Sequence, residues 1–157
     1  FSEGILIGFD SVGWFNAKIL EKPKTKKEAF ERLKELSGNT FQYYTGILAK
    51  NLETGKEFSK VVMTSVEMRN LTDSEINKYL DQDPNYNTFA AGFDPLENYG
   101  STFVKKINGS YNNLTRGIPL ETIVEMLQNL GYKIWILSEI SIFVFCKFYC
   151  ALFVIKC

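Results

Sequence analysis

"GILIGFDSVGWFNAKILEKPKTKKEAFERLKELSG", residues 4–38, passes from strand to loop to helix. Ile5 to Phe9 is apolar throughout apart from Gly8 and rich in branched side chains, which predicts a short buried strand. The run stops at a carboxylate, Asp10. Twelve residues on, Lys22 precedes Pro23. Thr25-Lys-Lys-Glu28 then forms a capping box, in which hydroxyl and carboxylate each satisfy a backbone N–H at the helix start. Ala29, Phe30, Leu33 and Leu36 fall on one face of that helix. Gly38 supplies its stop.

Downstream, "TFQYYTGILAKN" and "KEFSKVVMTSVEMRN" read as two strands around a turn at Glu53-Thr-Gly55. Alternation puts Phe58, Val62, Val66 and Met68 on one face of the second. Thr72-Asp-Ser-Glu75 is a second capping box, opening a short helix with Ile76, Tyr79 and Leu80. A polar connection spans Asp81 to Tyr99. "GSTFVKKI" reads as a further strand ending in the turn Asn108-Gly109. Pro119 opens a last helix with the stripe Leu120, Ile123, Val124, Leu127 and Leu130. Strands alternating with helices predict an α/β domain.

The chain has 157 residues, 45% hydrophobic and 23% charged, as expected of one globular domain. Lysine plus arginine and aspartate plus glutamate number 18 each. That balance argues against a nucleic-acid binder with a basic surface. No histidine occurs, which excludes a Ser-His-Asp triad, a Cys-His pair and a histidine-ligated zinc. Hydrolytic chemistry must then use carboxylates, lysines or a hard cation on oxygen ligands. Cys146, Cys150 and Cys157 all lie near one end, an arrangement that fits a reducing cytosol better than a disulfide framework. The sequence opens on Phe1 inside an apolar segment, and further residues are expected upstream.

Residues 133–157 differ in kind from the rest. Thirteen of the 22 residues from Ile134 to Ile155 are Ile, Leu, Val or Phe. On an insertion scale they would offer about −6 kcal/mol, while Glu139 and Lys147 would cost roughly 2.5 to 3.5 kcal/mol each. The balance leaves three readings open: a packed terminal element, a segment foreign to the domain, or a membrane anchor.

Single residues decide little. Asp10, ending an apolar run, stands where α/β proteins place ligand-binding carboxylates, and is equally a structural turn residue. Lys22 alone reads as a surface lysine. Thr45-Gly46 marks a close backbone approach or a bulge. No phosphate loop of Walker type and no GxGxxG is present.

Their order and spacing say more. "FDSV…ILEKP…LSGNTFQYYTGI…AAGF…FVKKINGSY…GIPL" resembles the Maf family of nucleoside triphosphate pyrophosphatases from about Ile5 to Tyr132. The resemblance implies an α/β fold with a mixed, elongated sheet, flanking helices and a cleft between two lobes. It implies hydrolysis of (d)NTP, with a pyrimidine such as dTTP or UTP expected, to the monophosphate and diphosphate. It further implies a divalent metal, Mg or Mn, a homodimer and a cytoplasmic setting. Asp10 matches the family's catalytic aspartate, as base or metal ligand, and Lys22 the phosphate-binding lysine. Residues 1–132 would form the Maf-like domain without the family's amino-terminal Ser-x-Ser-Pro-Arg-Arg phosphate loop, and 133–157 a hydrophobic tail. Counting back from Phe103-Val104, Glu97 occupies the position of a family glutamine. "NNLTRGIPL" carries one residue more than the family's usual path. The alternative to an active enzyme is a catalytically impaired fragment that serves as a binding or interaction module.

Overall fold

The computed structural model describes residues 3–133, 142–146 and 150–155; Glu139, Lys147 and Cys157 lie outside them. Seven strands form one sheet: β1 (Ile5–Phe15), β2 (Lys18–Leu20), β3 (Thr40–Asn51), β4 (Glu57–Met68), β5 (Val104–Asn108), β6 (Ile142–Cys146) and β7 (Cys150–Ile155). The strand order is β5-β4-β3-β1-β7-β6, with β2 also beside β1. Every described ladder is antiparallel. Among the described residues, four α-helices join them: α1 (Lys26–Leu36), α2 (Asp73–Gln82), α3 (Tyr111–Arg116) and α4 (Leu120–Asn129). The α/β expectation holds, and β3 and β4 coincide with the two segments read as strands.

Alternation along β1 separates two faces. Ile5, Ile7 and Phe9 are buried against Ile123, Met126, Leu127 and Leu130 around α4. Farther along, Leu20 joins a second cluster with Leu33 and Leu36 of α1 and Ile76 and Tyr79 of α2. The opposite face carries Val12, Trp14, Leu48, Val61 and Met63 exposed. The second helix start behaves as its capping box predicts, with Thr72 and Glu75 exchanging bonds in both directions. The first is half of one: Thr25 accepts from the Glu28 amide at 3.1 Å, but the Glu28 carboxylate takes the Lys24 N–H at 2.8 Å, one residue before the cap.

Three local expectations are corrected. Asp10 does not end a strand; it lies in the middle of β1, because the stretch Ser11 to Phe15 continues the strand and pairs with β3 to Trp14↔Gln42. "GSTFVKKI" is strand only from Val104, since Tyr99–Thr102 turns as a 3₁₀ helix that buries Phe103 between Tyr79, Phe93 and Tyr99. The turn at Asn108-Gly109 is followed at once by a helix, α3, because Ser110 accepts from the Asn113 amide as its N-cap and Gly117 closes it at φ 65°.

The residues beyond α4 add β6 and β7 to the sheet. β7 pairs with β1 from Ile5↔Ile155 to Asp10↔Cys150, while β2 pairs with the same side of β1 from Gly13↔Leu20 onward. Ser11 and Val12 lie between the two partners. The sheet edge is therefore notched there. Among the described residues, no helix is long and apolar enough to cross a membrane.

Candidate active site

The notch is the floor of a cavity of about 680 Å³ lined by Asp10, Ser11 and Val12, by Ile19 to Lys24, and by Asn87 and Ala90. Asp10 and Lys22, far apart on a strand and a loop, thus share one solvent-filled space. Glu21 adds a second carboxylate to it. Glu97 is exposed in the loop before the 3₁₀ turn at Tyr99 and is outside the lining of this cavity.

Asp10 points from the open face of the sheet, since Ile7 and Phe9 of the same strand define the covered one. Its Oδ1 accepts the Ser11 N–H at 2.9 Å. That bond occupies an edge amide at the interruption between β2 and β7, and it holds the carboxylate toward the notch. Opposite Asp10 in the ladder is Gly46, where an added Cβ would meet nothing within 4 Å. Gly46 is neither in a bulge nor pressed by backbone; it leaves open space beside the carboxylate.

Below the floor, Ser11 is fixed from the covered side. Its hydroxyl lies 2.6 Å from that of Thr45 and 3.2 Å from the Gly117 carbonyl. Thr45 donates to Asn113 Oδ1 at 2.5 Å. Asn113 is fully buried and its amide donates toward Tyr43 O, Val62 O and Thr64 Oγ1 at 3.1 to 3.3 Å. Tyr43 also bonds to Ser11, and burial raises its phenol above the ordinary value, with the Asp10 charge adding to the effect. A side chain at Gly117 would be strained: its φ is left-handed, and a Cβ would stand 3.0 Å from Ser11 Oγ.

One arginine holds the walls. Arg32 Nη1 donates to Glu21 O at 3.0 Å and to Ala90 O at 2.7 Å, tying the Glu21–Lys24 loop to the loop carrying Asn87. Burial lowers its pKa from the ordinary value, while Glu35, Glu21 and Glu28 act in the opposite sense.

Sequence reasoning finds Asp10, Lys22 and the Thr45-Gly46 pair. It misses Ser11, Arg32, Asn87 and the supporting role of Asn113. Arg32 is one more polar residue on an amphipathic helix, and Asn113 sits in an Asn-x-Thr sequence whose burial no local pattern discloses.

A hard divalent cation of the magnesium type takes one or two protein carboxylates and completes its shell with phosphates and water. Asp10 and Glu21 supply such a donor set in this cavity. Among the described residues, no three His, Cys, Asp or Glu converge as an all-protein metal cage.

Residues 1–130 match the family described as Maf-like protein. The dTTP/UTP pyrophosphatase of Fusobacterium nucleatum subsp. nucleatum is 36% identical over 135 residues, covering 86% of this chain and 69% of that protein. The dTTP/UTP pyrophosphatase of Clostridium botulinum strain Hall is 35% identical over 130 residues, 83% of this chain and 66% of that one. That of Clostridium novyi strain NT is 35% identical over 133 residues, 84% and 68%. The chain spans about two thirds of the length of these curated relatives.

Proposed function

Because the chain belongs to the Maf-like protein family, we propose that it is a nucleoside triphosphate pyrophosphatase acting on pyrimidine nucleotides such as dTTP and UTP. Water adds to the α-phosphorus, the bond from that phosphorus to the bridging oxygen breaks, and the products are NMP and diphosphate. The observation that carries this reading is the convergence of Asp10 and Lys22 on one cavity.

Asp10 orients the attacking water and accepts its proton. Its place on an open face beside Gly46 leaves room for water and phosphate together. Lys22 offers an ammonium as a point charge to the phosphate oxygens. Ser11, held from beneath by Thr45 and Gly117, keeps the Asp10 carboxylate in place, so little reorganisation is needed at the moment of reaction. A divalent cation, Mg or Mn, would be held by Asp10, with Glu21 and the triphosphate in reach, and would neutralise charge and acidify a bound water. Glu97 has no part in this scheme as placed here. The catalytic unit is residues 1–132, acting in the cytoplasm and as a homodimer, with 133–157 as a hydrophobic tail that includes the strand Cys150–Ile155 beside β1.

The test is diphosphate release from dTTP, UTP and CTP with Mg²⁺, by this chain and by Asp10→Asn. Release that disappears in the variant, with the fold retained, supports the reading. No release from the folded chain would replace it with the binding-module alternative.

A further inference from the structure

Asn87 is exposed, yet its place is fixed from both sides. It lies in the 3₁₀ turn Tyr86–Thr88. Before it, buried Asp83 accepts the Tyr79 hydroxyl at 2.6 Å and the Asn85 amide at 2.8 Å. Thr88 closes the turn, donating from both its amide and its hydroxyl to Asn85 O at 2.8 Å. After it, Ala90 O is held by Arg32 at 2.7 Å. Among the described residues, the Asn87 carboxamide hydrogen-bonds to none. A rigid turn thus presents an unused donor and acceptor to the cavity that holds Asp10 and Lys22.

The same cavity has an apolar side. Val12 and Ile19 line it while 37% and 58% exposed, and Pro23 and Ala90 extend that surface. A flat heterocycle needs apolar contact on its faces and a hydrogen-bonding partner at its edge. A carboxamide offers N–H and C=O side by side. It can pair with the edge of uracil or thymine that carries N3–H and O4, or, turned over, with the corresponding edge of cytosine.

We propose that Asn87 is a specificity-determining residue that reads the N3 edge of the pyrimidine ring, with Val12 and Ile19 against its face. The assignment rests on the pyrimidine nucleotide reading of the site and adds to it the group that recognises the base.

Equilibrium binding separates this claim from catalysis. UMP and N3-methyl-UMP are titrated by calorimetry into the full chain and into Asn87→Leu, with thermal unfolding as the control on folding. Loss of a paired base edge is worth about tenfold or more in affinity. The expected result is UMP binding at least about tenfold weaker in Asn87→Leu, and a comparable preference of the unaltered chain for UMP over N3-methyl-UMP that the variant lacks. Equal binding of the two nucleotides by the unaltered chain, no binding of UMP, or unchanged UMP binding in a folded variant overturns the assignment. Asn87-dependent UMP binding without diphosphate release from UTP would keep this assignment and discard the hydrolase reading. Release with unaltered kcat/KM in Asn87→Leu would do the reverse.

Discussion

The Ser11 hydroxyl lies 2.6 Å from the Thr45 hydroxyl across the β1–β3 ladder, and the two share a single direction of donation. Asn113 turns its NH₂ to the Tyr43 and Val62 carbonyls, so only its Oδ1 faces Thr45. Thr45 gives its one proton there, so the Ser11 proton goes to Thr45 at 2.6 Å and is shared, at 3.2 Å, with the Gly117 carbonyl.

Breaking that chain should cost stability as well as position. Thr45→Val keeps the volume and leaves the buried Asn113 Oδ1 without its donor. We expect a loss of about 1–3 kcal/mol in urea unfolding. Thr45→Ser should restore most of it. Equal stability of the Val and Ser variants would contradict the assigned network.

Lys22 should matter to binding more than to the fold. Lys22→Ala removes a charge-assisted contact worth roughly 1.5–3 kcal/mol, so kcat/KM for UTP should fall about 10- to 100-fold. The melting temperature should stay within a degree or two of the parent. A kcat/KM within twofold of the parent would remove Lys22 from the site.

Arg32 acts at one remove, through Glu21 O and Ala90 O. Arg32→Lys retains a charge and loses the planar Nη1 group that donates to both carbonyls. The expected effect is a rise in KM, with kcat reduced less, since the walls loosen while Asp10 stays anchored by Ser11. Steady-state kinetics over a UTP series reads this directly; a change confined to kcat would argue for a different role.

Gly46 should trade stability against activity. An added Cβ meets no described protein atom within 4 Å, and a branched side chain suits a strand. Gly46→Val should therefore melt no lower than the parent, yet slow diphosphate release by occupying the space beside Asp10. Full activity in a folded Gly46→Val protein would show that the phosphates pass elsewhere.

Acid should erode the stability that one ion cluster contributes. Bonds from the Thr72 amide, then Arg69, Tyr99 and the Thr72 hydroxyl, hold the Glu75 carboxyl down at about 2, from an ordinary 4.5. Because the folded value is the lower one, the stabilisation is complete above about pH 4.5 and fades as pH falls toward 2. Urea midpoints measured from pH 6 to pH 2.5 should drop over that interval. The Glu75→Gln protein should show a shallower drop.

Local chemistry was what the sequence displayed well. The Thr72 capping box, the Thr25 cap, β3 and β4, and the core stripe of α1 follow from periodicity and caps, which need only neighbours. Asp10 was recognisable as a candidate but misplaced in its element, because a carboxylate and Gly13 interrupt the apolar pattern of a strand whose pairing is supplied by β3. Asn113 and Arg32 were opaque for a related reason. Their roles exist only after strands distant in sequence lie side by side. In α4 the stripe was half right: Ile123, Leu127 and Leu130 are buried, whereas Leu120 and Val124 face solvent, and Met126 takes a core place.

The interruption between β7 and β2 also sets a dimension. From Asp10 to Gly13 a strand advances about 10 Å at roughly 3.3 Å per residue. Within that span β3 is the one strand beside β1 among the described residues. The break therefore sets the length of main chain that the sheet leaves facing the cavity.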